Sequence, residues 1–102
     1  MNYKPAIPVI KTVYKQTKDK LLLQNAADAL VRLGNGYAIP YIIDIYLTND
    51  MEEYRCEGII ILQNLTGETM CFDPKSSKLA REQSIQFWKE WWVINRTKYV
   101  KD

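Results

Sequence analysis

Two short stretches of the sequence nearly repeat each other and decide the fold: Ala6-Ile7-Pro8-Val9-Ile10 and Ala38-Ile39-Pro40-Tyr41-Ile42, which lie 32 residues apart. The same offset pairs further identical residues, namely Tyr14 with Tyr46, Leu30 with Leu62, and Leu33 with Leu65. A fixed period of this size is the signature of stacked supersecondary units. We therefore interpret residues 6–36 and 38–68 as two copies of one unit, within a single domain that spans residues 1–102.

Each unit is predicted to be a pair of helices. The first helices, over residues 6–16 and 38–48, carry proline in the opening turn, where its missing N–H costs no hydrogen bond. Their apolar residues recur at spacings that place them on one helical face. These residues are Ile7, Ile10, Val13 and Tyr14 in the first unit and Ile39, Ile42, Ile45 and Tyr46 in the second.

The second helix of each unit is bounded by capping signals. Asp19 is the expected N-cap in the first unit, and Asp50-Met51-Glu52-Glu53 resembles a capping box in the second. Both helices are expected to end where a glycine follows, at Gly34 and at Gly67.

One β-branched run within the second unit, Ile59-Ile60-Ile61, is compatible with a buried strand. It aligns with Ala27-Asp28-Ala29, which lies inside a strongly helical run of the first unit. Because a repeated unit keeps its secondary structure, residues 51–66 are predicted to be helical.

The period ends after Gly67. Residues 69–77 are predicted to be a loop, with Ser76 or Ser77 as the next N-cap, and residues 78–98 to be a final long helix. The predicted apolar face of this helix comprises Leu79, Ile85, Trp88 and Trp92, with Phe87 and Trp91 on its flanks. We interpret the tryptophans as a cap on the last helical interface, with a ligand-stacking platform as the alternative. Residues 99–102 are expected to fray.

These patterns resemble HEAT repeats of the phycobilisome-lyase type. The resemblance rests on the run from Ala26 to Gly34 followed by 38–43, on Asp50 with Arg55, and on a tail segment containing Phe72-Asp73-Pro74 and Trp88-Lys89-Glu90-Trp91-Trp92. It implies an all-α fold, a short right-handed α-solenoid of two HEAT-like repeats closed by a Trp-rich C-terminal capping helix. Two positions depart from the pattern. Leu23 stands where the second unit has Arg55, so the Asp–Arg ladder that the resemblance implies has only one clear pair, Asp50 with Arg55, and Gly58 stands where alanine is usual.

The composition favours a folded domain without an enzymatic site. Hydrophobic residues make up 47% of the chain, too many for a disordered segment. No apolar run approaches the roughly 20 residues of a membrane span, and no secretory signal is recognised, so we expect a cytoplasmic protein. There is no histidine, and the two cysteines match no zinc or disulfide pattern. We therefore predict no catalytic residue, no metal ligand and no cofactor.

Function is predicted to be binding of another protein through the concave helical face or the ends of the stack, with an ordinary solvated helix surface as the alternative. The resemblance implies that the first helices line a concave surface, and the residues off their apolar face include Lys11, Lys15, Tyr41 and Asp44. An aromatic residue among mixed charges is typical of protein interfaces. The binding residues are therefore predicted to be these four.

Three other modes of binding follow from the same patterns. Nucleic-acid binding is the alternative, because lysines at 4, 11, 15, 18 and 20 make residues 1–32 basic, with a net charge of +4. The net charge of −5 over residues 33–68 opposes it. An accessory or inhibitory subunit of an enzyme is a special case of protein binding. A weak homodimer is also expected, because Ile7, Ile10 and Val13 have only one neighbouring helix in sequence to cover them.

Overall fold

The helical patterns produce five helices and no strand over residues 7–100, the part of the chain that the computed structural model describes. Helix α1 spans Ile7–Gln16 and α2 spans Lys20–Arg32. Helix α3 begins with a 3-10 turn, Gly36–Ala38, continues through Ile39–Tyr41 and ends as a π-helix, Ile42–Tyr46. Helices α4 and α5 span Glu52–Thr66 and Lys78–Tyr99. The prediction of helix over Ile59-Ile60-Ile61 is confirmed. Ala6 and Lys4 lie outside the described residues.

Four helix ends lie where the capping residues predict them. The Asp19 carboxylate accepts hydrogen bonds from the backbone N–H groups of Leu21 at 2.9 Å and Leu22 at 3.1 Å. The Ser77 hydroxyl oxygen accepts one from the N–H of Ala80 at 3.2 Å. Gly34 and Gly67 have φ values of +89° and +78°, the left-handed conformation in which a helix commonly ends. Local chemistry thus sets the lengths of α2, α4 and α5.

The start of α4 differs from the predicted capping box. The N-cap is Met51 rather than Asp50, and no side chain caps the helix. Instead, the Asn49 side-chain oxygen accepts a hydrogen bond from the N–H of Met51 at 2.9 Å. The Arg55 guanidinium donates to the carbonyl oxygens of Asn49 and Asp50. The prediction was wrong because these two side chains organise the turn in place of the Asp50 carboxylate.

The helices form two antiparallel hairpins that pack side by side. Helix α1 packs on α2, α3 packs on α4, and α2 also contacts both α3 and α4. The core lies between the hairpins, where the repeat-related residues Leu30 and Leu62 are both fully buried. The resulting body measures 39 × 28 × 24 Å along its principal axes. Among residues 7–100, no helix is both long and apolar enough to cross a lipid bilayer.

The two copies of the repeated apolar face are buried to different extents. In α3, Ile39, Ile42 and Tyr46 belong to the core, whereas their equivalents in α1 are only half-buried. Helix α3 has neighbours in α2, α4 and α5, while α1 packs chiefly on α2, which explains the difference. Ile45 was predicted to be apolar core but is 44% exposed. It lies about 100° around the helix from Tyr46, at the edge of the buried face.

Helix α5 closes the domain, and its backbone approaches α3 most closely. A Cβ placed on Gly36 would lie 2.3 Å from the Cβ of Tyr99, so the end of α5 rests directly on the start of α3. Tyr99 was therefore wrongly expected to fray, and residues 101–102 lie outside the described part.

The predicted apolar face of α5 is correct only in its middle part. Trp88 is fully buried and Ile85 is 7% exposed, as expected. Trp92 is half-buried. Leu79, predicted to lie on this face, is 71% exposed, while its neighbours Lys78 and Arg81 line a groove with Leu47 and Thr48. The cap therefore depends on the segment from Ile85 to Tyr99.

Gly58 marks the closest approach of α4 to α3, and it explains the departure from alanine. A Cβ at this position would lie 2.6 Å from the Cβ of Tyr46 and 3.2 Å from a methyl group of Leu47. We expect Gly58→Ala to lower the free energy of unfolding by about 1–2 kcal/mol, because overpacking outweighs the gain of about 1 kcal/mol in helix propensity. Urea unfolding followed by circular dichroism would measure this change. The matched control is Gln63→Ala at an exposed position of α4. A Gly58→Ala protein more stable than the wild type would contradict the close approach.

Candidate functional site

The four residues predicted to bind a partner come from two helices of different hairpins. Lys11 and Lys15 lie on α1, one turn apart, and Tyr41 and Asp44 lie on α3. Lys15 and Asp44 are exposed, while Lys11 and Tyr41 are half-buried. The packing of the hairpins joins Lys11, Lys15 and Tyr41 through ring contacts with Tyr14 and Tyr37, and the Asp44 carboxylate is near enough to Tyr14 to act on it electrostatically. We call this set of six residues the α1–α3 surface.

Tyr37 links the two lysines to the second hairpin. The ammonium groups of Lys11 and Lys15 lie 4.6 Å and 5.0 Å from the centroid of its ring. This is the geometry of a cation–π interaction. Tyr37 is held in place locally, because the Asn35 side chain accepts a hydrogen bond from its backbone N–H at 2.9 Å. The sequence pattern did not single out Tyr37, which lies just before the second repeat, in the 3-10 turn that opens α3.

The aromatic contacts continue inward as a row of five tyrosines. Successive rings meet edge to face with centroid separations of 5.7–6.3 Å, in the order Tyr37, Tyr14, Tyr41, Tyr46 and Tyr54. Such pairs are worth about 0.5–1.5 kcal/mol each beyond their buried area. The row runs from the surface into the core, so the face that carries the lysines is rigidly coupled to the hairpin interface.

Burial along this row affects the ionisation of the phenols. Burial raises the pKa of Tyr14, and the neighbouring Tyr37, Tyr41 and Asp44 raise it further. Burial likewise raises the pKa of Tyr41. The pKa of Tyr46 is raised to about 12, first by burial and then by the carboxylates of Asp28 and Glu57. These phenols therefore stay neutral at physiological pH and act as hydrogen-bonding aromatic groups.

Asp44 connects the α1–α3 surface to the closing helix. Its carboxylate lies 4.0 Å from the ammonium of Lys89, and both side chains are more than half exposed. An exposed ion pair of this length contributes little to stability. Beside this pair, Pro40 and Ile43 of α3 line an open groove with Trp92 and Val93 of α5. The acidic edge of the surface thus borders an apolar groove.

Tyr41 is less independent of the core than the sequence suggested. Its equivalent in the first unit is Val9, which is 66% exposed, and the repeat alone gives no reason for an aromatic residue there. In the folded domain the Tyr41 ring packs against the core and contacts Tyr14 and Tyr46. Its other side lines an open groove with Leu21 and Ile45. Tyr41 therefore serves both the hairpin interface and the surface.

The tryptophans of α5 divide into one core residue and two rim residues. Trp88 is fully buried, and its indole N–H donates to the carbonyl oxygen of Thr69 at 3.1 Å. Its ring meets that of Trp91 at 5.4 Å, and Trp91 contacts Tyr99 at 5.5 Å. A buried Trp88 presents no face on which a ligand could stack. The cap interpretation therefore accounts for Trp88.

Other chemically capable side chains are dispersed. Cys56 and Cys71 are free thiols. Glu57 forms an ion pair of 3.3 Å with Arg32, while Glu52 and Glu53 are exposed in the first turn of α4. Within residues 7–100 there is no group of three or more His, Cys, Asp or Glu side chains placed to hold a metal ion.

Comparison with models of protein families, with curated proteins and with solved structures found no match.

Proposed function

We propose that this chain is a non-enzymatic protein-interaction module, built as a short right-handed α-solenoid of two HEAT-like repeats with a C-terminal capping helix. The packing of two similar hairpins side by side, with α5 against the second, supports this arrangement. The equal burial of Leu30 and Leu62 at repeat-related positions supports it as well.

The observation that carries the proposal is the joining of Lys11, Lys15 and Tyr41 into one surface through Tyr14 and Tyr37. Asp44 follows Tyr41 by three residues on α3, and its carboxylate acts electrostatically on Tyr14. Aromatic rings flanked by cations and a carboxylate provide anchoring area, hydrogen bonds and charge within one patch. The rings are already packed in the free domain, so little side-chain entropy is lost on binding. A partner protein with mixed charge around an apolar or aromatic anchor fits this surface best.

Tyr41→Ala tests the proposal. We expect the substitution to weaken the complex with a co-purified partner by about 1 kcal/mol or more, the order seen for interface anchors. Isothermal titration with the purified partner would measure the change. Lys15→Ala should weaken binding as well, whereas the matched control Lys75→Ala, an exposed lysine in the loop before α5, should bind as the wild type does.

Tyr41→Ala should also destabilise the domain, an effect that the sequence pattern did not suggest. Since the Tyr41 ring is half-buried, Tyr41→Ala should lower the free energy of unfolding by about 1–2 kcal/mol. Binding is therefore measured well below the melting temperature, with circular dichroism confirming the fold. Loss of salt-sensitive binding to random duplex DNA in Lys11→Ala and Lys15→Ala, with no effect of Tyr41→Ala on any protein complex, would replace the proposal with nucleic-acid binding.

A further inference from the structure

Four of the six large apolar side chains that the two hairpins leave exposed lie at one end of the domain. At this end the turn between α1 and α2 and the turn between α3 and α4 lie next to each other, because Leu21 and Ile45 line the same groove. We call residues 17–22 and 45–53 the turn end. Four of its large apolar side chains are 44–66% exposed, namely Leu21, Leu22, Ile45 and Met51.

The sequence pattern predicted that a second copy would cover the apolar face of α1. In the folded domain this face is partly buried by its own neighbours. Ile7 and Ile10 of α1 lie half-buried against the core, and Val13 is half-buried as well. The four exposed apolar side chains of the turn end leave more apolar area open to a partner than these three half-buried residues do.

The charges of the turn end divide into a basic half and an acidic half. Lys18 and Lys20 are exposed on the α1–α2 side, and Asp19 between them uses its carboxylate to cap α2. On the α3–α4 side, Glu52 and Glu53 are exposed, while Asp50 lines a groove with Lys78 and Arg81 of α5. Among the described residues, the ion pairs within 4.0 Å involve neither these two lysines nor these two glutamates. Both halves are thus open to charges from outside.

We propose that two copies of this chain associate through their turn ends, related by a two-fold axis that passes through the apolar patch. A two-fold interface places the same patch of each copy against the other. The basic half of one copy then faces the acidic half of its partner twice, and the four apolar side chains meet in the centre. A partner of a single charge sign would complement only one half of the turn end, and for this reason the second copy is the occupant that the surface fits best.

This association does not depend on the partner-binding surface. Tyr41 lies at the boundary between the two, but Lys18, Lys20, Glu52 and Glu53 are outside the α1–α3 surface. Substitutions at these four positions therefore test self-association without altering the residues proposed to bind another protein. Failure of either proposal leaves the other standing.

Sedimentation equilibrium at low salt and high micromolar concentration provides the test. The wild type should show twice the monomer mass of 12.0 kDa, with dissociation rising as salt screens the charges. Lys18→Glu with Lys20→Glu, and separately Glu52→Lys with Glu53→Lys, should each weaken the dimer by about tenfold or more, since like charges then face each other. An equimolar mixture of the two double variants should restore a dimer, because every contact across the axis is again attractive.

Two further measurements separate loss of contact from loss of fold. Circular dichroism checks each variant, and Glu52→Gln with Glu53→Gln replaces the lysine pair if the reversed charges destabilise α4. Leu21→Ser should also weaken the dimer, while Ile94→Ser, at a position near the end of α5 that is 78% exposed, should not. A chain that is monomeric at all concentrations overturns the proposal. A dimer whose dissociation constant is unchanged by these substitutions overturns the proposal as well. A species larger than a dimer also overturns it.

Discussion

Trp88→Ala is expected to remove most of the stability of the domain. The Trp88 side chain is fully buried, and deletion of such a ring typically costs about 3–5 kcal/mol. Its indole also donates to the carbonyl oxygen of Thr69 at 3.1 Å, so about 1 kcal/mol more is lost with that hydrogen bond. Domains of this size are stable by only about 5–15 kcal/mol in total. Urea unfolding followed by far-ultraviolet circular dichroism would show a large fall in the transition midpoint or no cooperative transition.

The effect of Trp88 should extend beyond α5 itself. In the loop before this helix, Met70 and Cys71 have positive φ values of 52° and 57°, a conformation that costs free energy in non-glycine residues. The Trp88 hydrogen bond to Thr69 and the Ser84 hydroxyl bond to the Cys71 carbonyl, at 3.2 Å, hold the loop in this shape. Removal of Trp88 should therefore release the loop as well as open the core.

Phe87→Ala is the matched control, because Phe87 precedes Trp88 on the same helix and is 56% exposed. Its substitution should change the free energy of unfolding by roughly 0.5 kcal/mol or less. A Trp88→Ala protein that kept the wild-type transition would contradict the assignment of Trp88 to the core. Such a protein, if it had lost only a ligand, would favour the alternative in which the tryptophans form a stacking platform.

Arg55→Ala is expected to have the second largest effect, with a loss of about 3 kcal/mol. The guanidinium is buried at 7% exposure and makes three hydrogen bonds to carbonyl oxygens, those of Asn49 at 2.8 Å, Asp50 at 2.9 Å and Pro74 at 3.0 Å. Hydrogen bonds from a charged donor are worth about 1.5–3 kcal/mol each, and part of this is recovered when water reaches the freed carbonyls. The three bonds join the α3–α4 turn to the loop before α5, so both segments should loosen together.

Two matched variants distinguish how Arg55 acts. Arg55→Lys keeps the charge but not the planar fork of donors, and it should recover only part of the loss. Asp50→Asn should be nearly neutral, because Arg55 binds the backbone of Asp50 and not its carboxylate. Chemical unfolding of the three variants side by side gives the comparison. If Asp50→Asn were as costly as Arg55→Ala, the Asp–Arg ion pair that the family resemblance implies would be correct instead.

The resemblance to HEAT repeats placed Asp50 and Arg55 together, and the structure confirms that they are neighbours. It could not predict which atoms would meet, because that depends on the turn. The Asn49 side chain binds the N–H of Met51, which leaves the Asn49 and Asp50 carbonyls directed towards Arg55. Helix α4 therefore starts one residue later than predicted, without the capping box. Arg55 donates to backbone carbonyl oxygens instead of pairing with the Asp50 carboxylate.

The candidate surface illustrates a similar division between local and long-range information. Helical periodicity placed Lys11, Lys15, Tyr41 and Asp44 off the apolar face of their helices. Nothing in the local sequence indicated that Tyr37 would lie beneath both lysines, since this contact joins α1 to the first turn of α3. The structure also assigns Tyr14 to the surface as well as to the core, which a single apolar stripe does not predict.

The sequence by itself determined the five helices, the internal repeat of two units, and the helix ends at Asp19, Gly34, Gly67 and Ser77. Each of these depends on interactions between residues close together in the chain, which capping rules and periodicity describe. Only the tertiary structure decided that α5 closes on α3 and which apolar side chains remain exposed. It also decided that Tyr99 packs directly on Gly36 and Tyr46 directly on Gly58. These outcomes depend on the distance between helices and on their relative rotation, which follow from side-chain packing across the whole core.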